Sequence, residues 1–297
     1  VSPAYERLAA AVARDDDVLA LLATVPPGKR QPNLLFAVVR HLGGPVTDPA
    51  AFHDFVTARR PDVAAGLRAR ATQTNEPGRC AVLLPVLAAL PQPLALLEVG
   101  ASAGLCLYPD RYAYRYDAGS TVGTGHPVLD CATTGLPAPT AVPRVVWRAG
   151  LDLNPLDVTG PGDLAWLTAL IWPEHTARRA RLTAAAAVAA ADPPLLVRGD
   201  LVDDLPALAA QAPPDATLVV FHTSVLYQVS PSRRTDFTHA VRKLPARWIA
   251  NEAADVLPHA GLPAPPPGPL RNVLALDGEP LAWTGGHGQS LDWFARP

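Results

Sequence analysis

An α/β fold, with a mainly parallel sheet flanked by helices, is what the sequence predicts, and three observations predict it. From residue 94 onward short apolar runs alternate with helical stretches. Residues 94–107 read LALLEVGASAGLCL, an apolar run that meets an acidic residue and then two spaced glycines, Gly100 and Gly104. Near the end, residues 273–276 and 281–283 flank Asp277-Gly278, a turn pair that suits a β-hairpin. Strands that alternate with helices pair in parallel through right-handed crossovers, and the terminal hairpin adds an antiparallel edge.

The elements follow in order. Residues 1–91 read as a helical N-terminal cap. Tyr5, Leu8 and Val12 share a helical face, Phe52, Phe55 and Val56 recur at the same spacing, and Cys80, Leu83, Leu84 and Leu87 do likewise. Pro26-Pro27-Gly28, Gly43-Gly44-Pro45 and Pro61 punctuate these helices, and Pro91-Gln92-Pro93 ends them. A second domain is expected over 92–297, with strands at 94–99, 145–153, 195–197, 218–221 and 248–250. Between the second and third, residues 163–191 read as helix and end in an alanine-rich tract. Tyr112, Tyr114 and Tyr116 fall on one face of a further strand. The Gly/Thr/Pro-rich excursion at 119–143 reads as a long loop, of the kind that is functional or mobile in a compact domain. Residues 258–269 are stiffer and polyproline-like.

Composition excludes several classes of function. A net charge of −2 draws no polyanion, so no nucleic-acid partner is expected. Three cysteines without a C-x-x-C pair make no disulfide framework or zinc knuckle, which points to a cytoplasmic location. Asp15, Asp16 and Asp17 follow the first apolar residues too closely for a signal peptide. The uncharged stretch 81–97 is cut by Pro85, Pro91 and Pro93, so no membrane span is expected. No histidine pair or carboxylate group has metal-ligand spacing, and no metal is expected.

In doubly wound sheets ligands lie beyond the carboxyl ends of the strands, where strand order reverses. The first strand ends in Glu98, Gly100, Ser102 and Gly104. Glycines there let backbone amides approach a ligand, and a following helix start adds unpaired N–H groups. The second ends at Asp152 in Gly-Leu-Asp-Leu-Asn-Pro, placed to accept from both hydroxyls of a ribose. The third ends at Asp200 in Arg-Gly-Asp-Leu, placed to accept from an adenine amino group while Leu201 packs on the ring. Asp152 or Asn154 equally suits a helix cap. The fourth ends at His222-Thr223-Ser224, where His222 is either a hydrogen-bonded core residue or a base facing the crevice. Asn75, Glu76 and Arg79 open a helix, as a cap with a local ion pair or as contacts to a polar substrate. Asn251-Glu252 and His287 are further rim candidates for substrate.

The pattern Glu-x-Gly-x-x-x-Gly, Gly-Leu-Asp-Leu-Asn-Pro, Gly-Asp-Leu and a final hairpin resembles the class I S-adenosylmethionine-dependent methyltransferase fold. Nearly the whole chain resembles a bacterial family, domain of unknown function 2332. That likeness is carried by residues 30–36 (RQPNLLF), Thr74-Asn75-Glu76 through Arg79, residues 98–105, Gly150 to Asp157, Trp172-Pro173-Glu174 and Phe221-His222-Thr223. The resemblance implies a Rossmann-like sheet and S-adenosylmethionine as cofactor, with methyl transfer to a small-molecule nucleophile assisted by His222. The glycine turn would hold the methionine end. Two departures are visible: Ser102 replaces the central glycine of the usual turn, and no Asn-Pro-Pro-Tyr follows the fourth strand, which argues against bases and amide nitrogens as acceptors. Two alternatives stand beside it. One is a non-catalytic nucleotide-binding scaffold. The other is a serine hydrolase, because residues 100–104 also spell G-x-S-x-G, with Ser102 as nucleophile, His287 as base and Asp255 or Asp277 as the orienting acid; that elbow needs strands before it, where this chain reads as helix.

Overall fold

The computed structural model describes residues 2–295 apart from 118, 120, 136–138, 269 and 270, so the excursion at 119–143 and the polyproline-like stretch at 258–269 lie partly outside the described residues. Eleven strands form one sheet: β1 (Leu94–Val99), β2 (Ala113–Tyr116), β3 (Thr121–Val122), β4 (Val128–Thr134), β5 (Val145–Asp152), β6 (Leu195–Arg198), β7 (Thr217–Thr223), β8 (Arg247–Ala253), β9 (Arg271–Leu276), β10 (Glu279–Gly285) and β11 (Ser290–Trp293). Their order is β3-β2-β4-β11-β10-β9-β8-β7-β1-β5-β6.

The five strands β6-β5-β1-β7-β8 are mutually parallel. From β1 the chain builds outward to β5 and β6, then returns to lay β7 and β8 on the other side. Strand order therefore reverses between β1 and β7. Glu98 lies in register between Gly150 of β5 and Phe221 of β7. Every residue of β1 is buried, as expected of a central parallel strand with both faces covered. One face packs Leu97, Val99, Leu151, Val220 and Trp248 against Leu205, Leu208, Phe237 and Val241, which come from helices Leu205–Ala209 and Pro231–Arg242. The hairpin expected near the end is present as β9 and β10, antiparallel, with Asp277 and Gly278 at φ 54° and 95°. Positive φ at both central residues matches the twist of the flanking strands.

Two features depart from the sequence reading. The excursion is part of the sheet: β4 buries Leu129 and Cys131, exposes Asp130, and pairs in parallel with β11. The glycine turn leads into a single 3₁₀ turn, Leu105–Leu107, and not into an α-helix. Pro109 lies just beyond it, removes a backbone donor and pushes Tyr108 away from helical geometry.

The chain divides into two compact units, Val1–Thr74 with Gly160–Thr183, and Asn75–Thr159 with Ala184–Pro297. The expected boundary at 91/92 is thus displaced. Helix Cys80–Ala89 belongs with the sheet, where it packs against β4 and β9. Its residues from Cys80 to Leu84 are all buried, so it needs cover on every side. Helix Pro161–Leu170 instead joins the N-terminal helices. Three of the N-terminal helices start on side-chain caps, at Ser2, Asp15 and Asp48. Asp15, Asp17 and His53 bring possible metal-ligand atoms within 4.8 Å of one another, but Asp15 spends one oxygen on Val18 N and the other on His53 Nδ1. Among the described residues no helix is long and apolar enough to cross a membrane.

Candidate functional site

Three residues in five take positive φ after β1: Gly100 at 71°, Ser102 at 52° and Gly104 at 68°. The turn they build is closed on the protein itself. Gly100 N and Ala101 N donate to Leu151 O at 2.8 and 3.3 Å, and Gly104 N to Ala101 O at 2.7 Å. Ser102 N donates to Asp152 Oδ2 at 2.7 Å, and Leu105 N to Asn75 Oδ1 at 3.3 Å. Asn75 Nδ2 in turn donates to Ala101 O at 3.0 Å, so Asn75 clamps the turn and does not cap a helix. The backbone donors that the sequence offered to a ligand are mostly spent inside the chain.

Gly100 is fixed by space as well as by φ. A Cβ there would come within 2.4 Å of Val225 Cγ2, in the loop after β7. Gly100→Ala is therefore expected to lose about 2 kcal/mol from the left-handed backbone and the overlap together. Urea unfolding measures this; a loss under about 0.5 kcal/mol would mean that the β7 loop gives way freely.

Asp152 accepts from Ser102 N with Oδ2 and from Asn154 N at 2.7 Å with Oδ1, bracing the ends of β1 and β5 together. Each oxygen keeps a second acceptor position. Asp200 accepts from Val202 N at 2.8 Å, Asp203 N at 3.2 Å and the Arg233 guanidinium. Burial opposes ionisation there, but these amides and Arg233 hold its carboxyl below the usual range. Leu201 packs on the core of that sheet face.

Side chains alternate along a strand, so Glu98, Thr223 and Asn251 leave the face opposite to Val99, His222 and Glu252. On that opposite face lies a buried polar group. Arg79 Nη1 donates to Thr223 O at 2.8 Å and to its hydroxyl at 3.3 Å, and Nε donates to Gly286 O at 3.1 Å. Glu76 caps the 3₁₀ turn Pro77–Arg79 through Gly78 N. Thr284 donates to Asn251 Oδ1 at 2.7 Å, and Asn272 Nδ2 donates to Ser224 Oγ at 2.8 Å. Burial, and then the Cys106 thiol beside it, push the Glu98 carboxyl well above the usual range, while Arg79 pulls the other way. Three buried atoms here have no partner among the described residues: Glu98 Oε2, Ser102 Oγ and Asn251 Nδ2. They belong to the carboxyl ends of β1 and β8 and the turn after β1. Folded proteins pair nearly all such atoms, so each is open to a partner from outside the chain.

His222 and Glu252 do not join this group. Trp248 Nε1–H, a donor only, gives its proton to His222 Nε2 at 3.0 Å, so the ring carries its own hydrogen on Nδ1 and donates it to Glu252 Oε1 at 2.8 Å. The ring stacks on Trp248 and meets Phe237 edge-on. Both nitrogens are engaged within the opposite core, which leaves neither for a methyl acceptor. Glu252 is likewise inside, accepting from Val225 N and Leu226 N as well. His287 is exposed in the β10–β11 turn. The tyrosines of β2 and its approach pack the sheet, their hydroxyls donating to the carbonyls of Leu105, Pro109 and Ala81. Among the described residues no base engages Ser102 Oγ, as a serine nucleophile would require. Sequence reasoning missed Thr284, Asn272 and Cys106; nothing in their local pattern marks them, because only the sheet brings them together.

No curated protein and no solved structure matches the chain. Residues 1–293 match the family described as an uncharacterized protein conserved in bacteria, DUF2332, and the chain belongs to that family.

Proposed function

We propose that the protein binds S-adenosylmethionine beyond the carboxyl ends of β1, β5 and β6 and transfers its methyl group to a small-molecule nucleophile lying toward β7 and β8. The observation that carries this reading is the pair of buried, unpartnered atoms Glu98 Oε2 and Ser102 Oγ, which flank the point where strand order reverses. The parallel block runs β6-β5-β1-β7-β8, and ligands of open parallel sheets sit where strand order reverses. The donor set fits the cofactor through side chains more than through backbone. Glu98 and Ser102 would take the methionine end, the spare acceptor positions of Asp152 the ribose, and Asp200 with Leu201 the adenine. The bound cofactor supplies an activated methyl group on a sulfonium. The chain aligns the acceptor with it and keeps water out.

One observation favours a second reading, a binding scaffold without turnover. The turn amides and the Asp200 charge are already engaged within the protein. Titration calorimetry with S-adenosylmethionine and S-adenosylhomocysteine tests both. Both ligands are expected to bind the wild type, and Glu98→Ala to weaken them about tenfold, roughly 1.4 kcal/mol. No heat from either ligand removes the cofactor. Binding without transfer to a broad acceptor panel puts the scaffold ahead.

A further inference from the structure

Resting on that reading, we propose that the methyl acceptor is a small carboxylic acid, its carboxylate seated between Arg79 and the unpartnered amide nitrogen of Asn251, and that the product is a methyl ester.

Asn251 carries the argument first. It is fully buried, its Oδ1 is taken by the Thr284 hydroxyl, and its Nδ2 has no partner. A fully buried donor left open at the carboxyl end of a strand is a place for an acceptor atom on a ligand. Its cross-strand neighbour on the same face is Thr223, whose carbonyl and hydroxyl hold Arg79. Arg79 is only 7% exposed, and two of its three guanidinium nitrogens are engaged by the carbonyls of Thr223 and Gly286. A cation and an amide N–H₂ thus stand together beside β7, where the acceptor of this reading lies. Planar oxygen pairs suit such donors well.

The missing base points the same way. Methylation of a hydroxyl or an amine needs a group to take the proton released. His222 and Glu252 lie on the opposite face, where both ring nitrogens and Glu252 Oε1 are engaged. Glu76 spends Oε1 on Gly78 N. The thiol of Cys106 is held protonated, by Cys80 first and then by burial, and Tyr112 donates to Leu105 O. Burial pushes the Glu98 carboxyl well above its usual range, which opposes its ionisation beside a bound anion. A carboxylate is already deprotonated at neutral pH and needs none of them. One of its oxygens attacks the methyl carbon with a lone pair to form the new O–C bond. The C–S bond breaks with its electron pair going to sulfur, so S-adenosylhomocysteine leaves neutral and no proton moves.

The experiment uses the whole chain and does not depend on turnover. Binding of S-adenosylhomocysteine is measured first, by calorimetry. Ligand-observed NMR then follows benzoate, benzamide, phenol and aniline on the loaded protein. Benzoate is expected to bind at least tenfold more tightly than the other three. Asn251→Asp keeps the oxygen that accepts from Thr284 but sets a carboxylate against the ligand; it is expected to lose benzoate at least tenfold and keep S-adenosylhomocysteine. Thermal melting reports whether that variant folds, and Arg79→Gln in the same assay gives a second, independent loss. With methyl-labelled cofactor, the transferred label on an accepted acid is expected to be released by mild base, as an ester is. Bound S-adenosylhomocysteine with no preference for benzoate, or a base-stable label, overturns the carboxylate proposal alone. No S-adenosylhomocysteine binding overturns it together with the cofactor reading.

Discussion

Glu252→Ala is expected to cost about 3–5 kcal/mol, the largest loss from any single truncation in the sheet unit, because it strips the acceptor from a buried, charged hydrogen-bond group. Glu252 Oε1 receives three donors, His222 Nδ1 at 2.8 Å, Val225 N at 2.8 Å and Leu226 N at 3.2 Å. Its side chain is 1% exposed and that of His222 is 0% exposed. Alanine leaves all three donors without water or protein to replace it. The loop after β7 would lose its anchor, and with it the Val225 side chain that sits against Gly100. Glu252→Gln separates hydrogen bonding from charge. Its amide oxygen still accepts all three, while Trp248 keeps its bond to His222 Nε2. That variant is expected to lose no more than about 1 kcal/mol. Chemical denaturation of both variants decides the matter. Equal, severe losses would mean that the hydrogen bonds alone do not account for the role of Glu252.

The second large effect belongs to Asp152. Asp152→Ala frees two backbone amides, Ser102 N and Asn154 N, that now lie 2.7 Å from its oxygens. One of them sits in a turn whose remaining bonds hold β1 to β5. We expect a loss of about 2 kcal/mol, which lowers the melting temperature by roughly 5 °C, together with loss of S-adenosylhomocysteine binding. Asp152→Asn is the sharper variant, since one end of the amide would set N–H against N–H. If Asp152→Ala melts early yet binds the nucleoside with unchanged affinity, the residue is a brace only. An intact melting temperature with lost binding would make it a ligand contact only.

The parallel core was legible because a central strand must be apolar on both faces, and residues 94–99 and 218–221 are little else. The hairpin was legible because Asp277-Gly278 supplies the positive φ values the turn requires. β4 was hidden by its surroundings. Its alternation of Leu129 and Cys131 with Asp130 is a strand pattern, but the glycines, threonines and prolines around it read as loop. The 3₁₀ turn after Gly104 was signalled by Pro109, whose effect the glycine motif outweighed. The site was legible by position and much less by role. Glu98, Ser102 and Asp152 do stand at the strand ends named for them. His222 was left between core and crevice because the end of a strand offers two faces one residue apart. The side that His222 takes is fixed by Trp248 and Phe237, far along the chain. Arg79 and Asn251 come close only through β7, which no local window contains.

The partnership of β4 with β11 has a consequence for how the chain matures. Thr134 and Asp292 hydrogen-bond across 158 positions, and Ala132 N donates to Gln289 O beside them. During synthesis the segment that follows the glycine turn leaves the ribosome long before its neighbour exists, and it carries an open strand edge throughout that interval. Closure waits for residues 290–293 to emerge, which makes folding slow and leaves nascent chains, or chains that lack β11, prone to stick to one another.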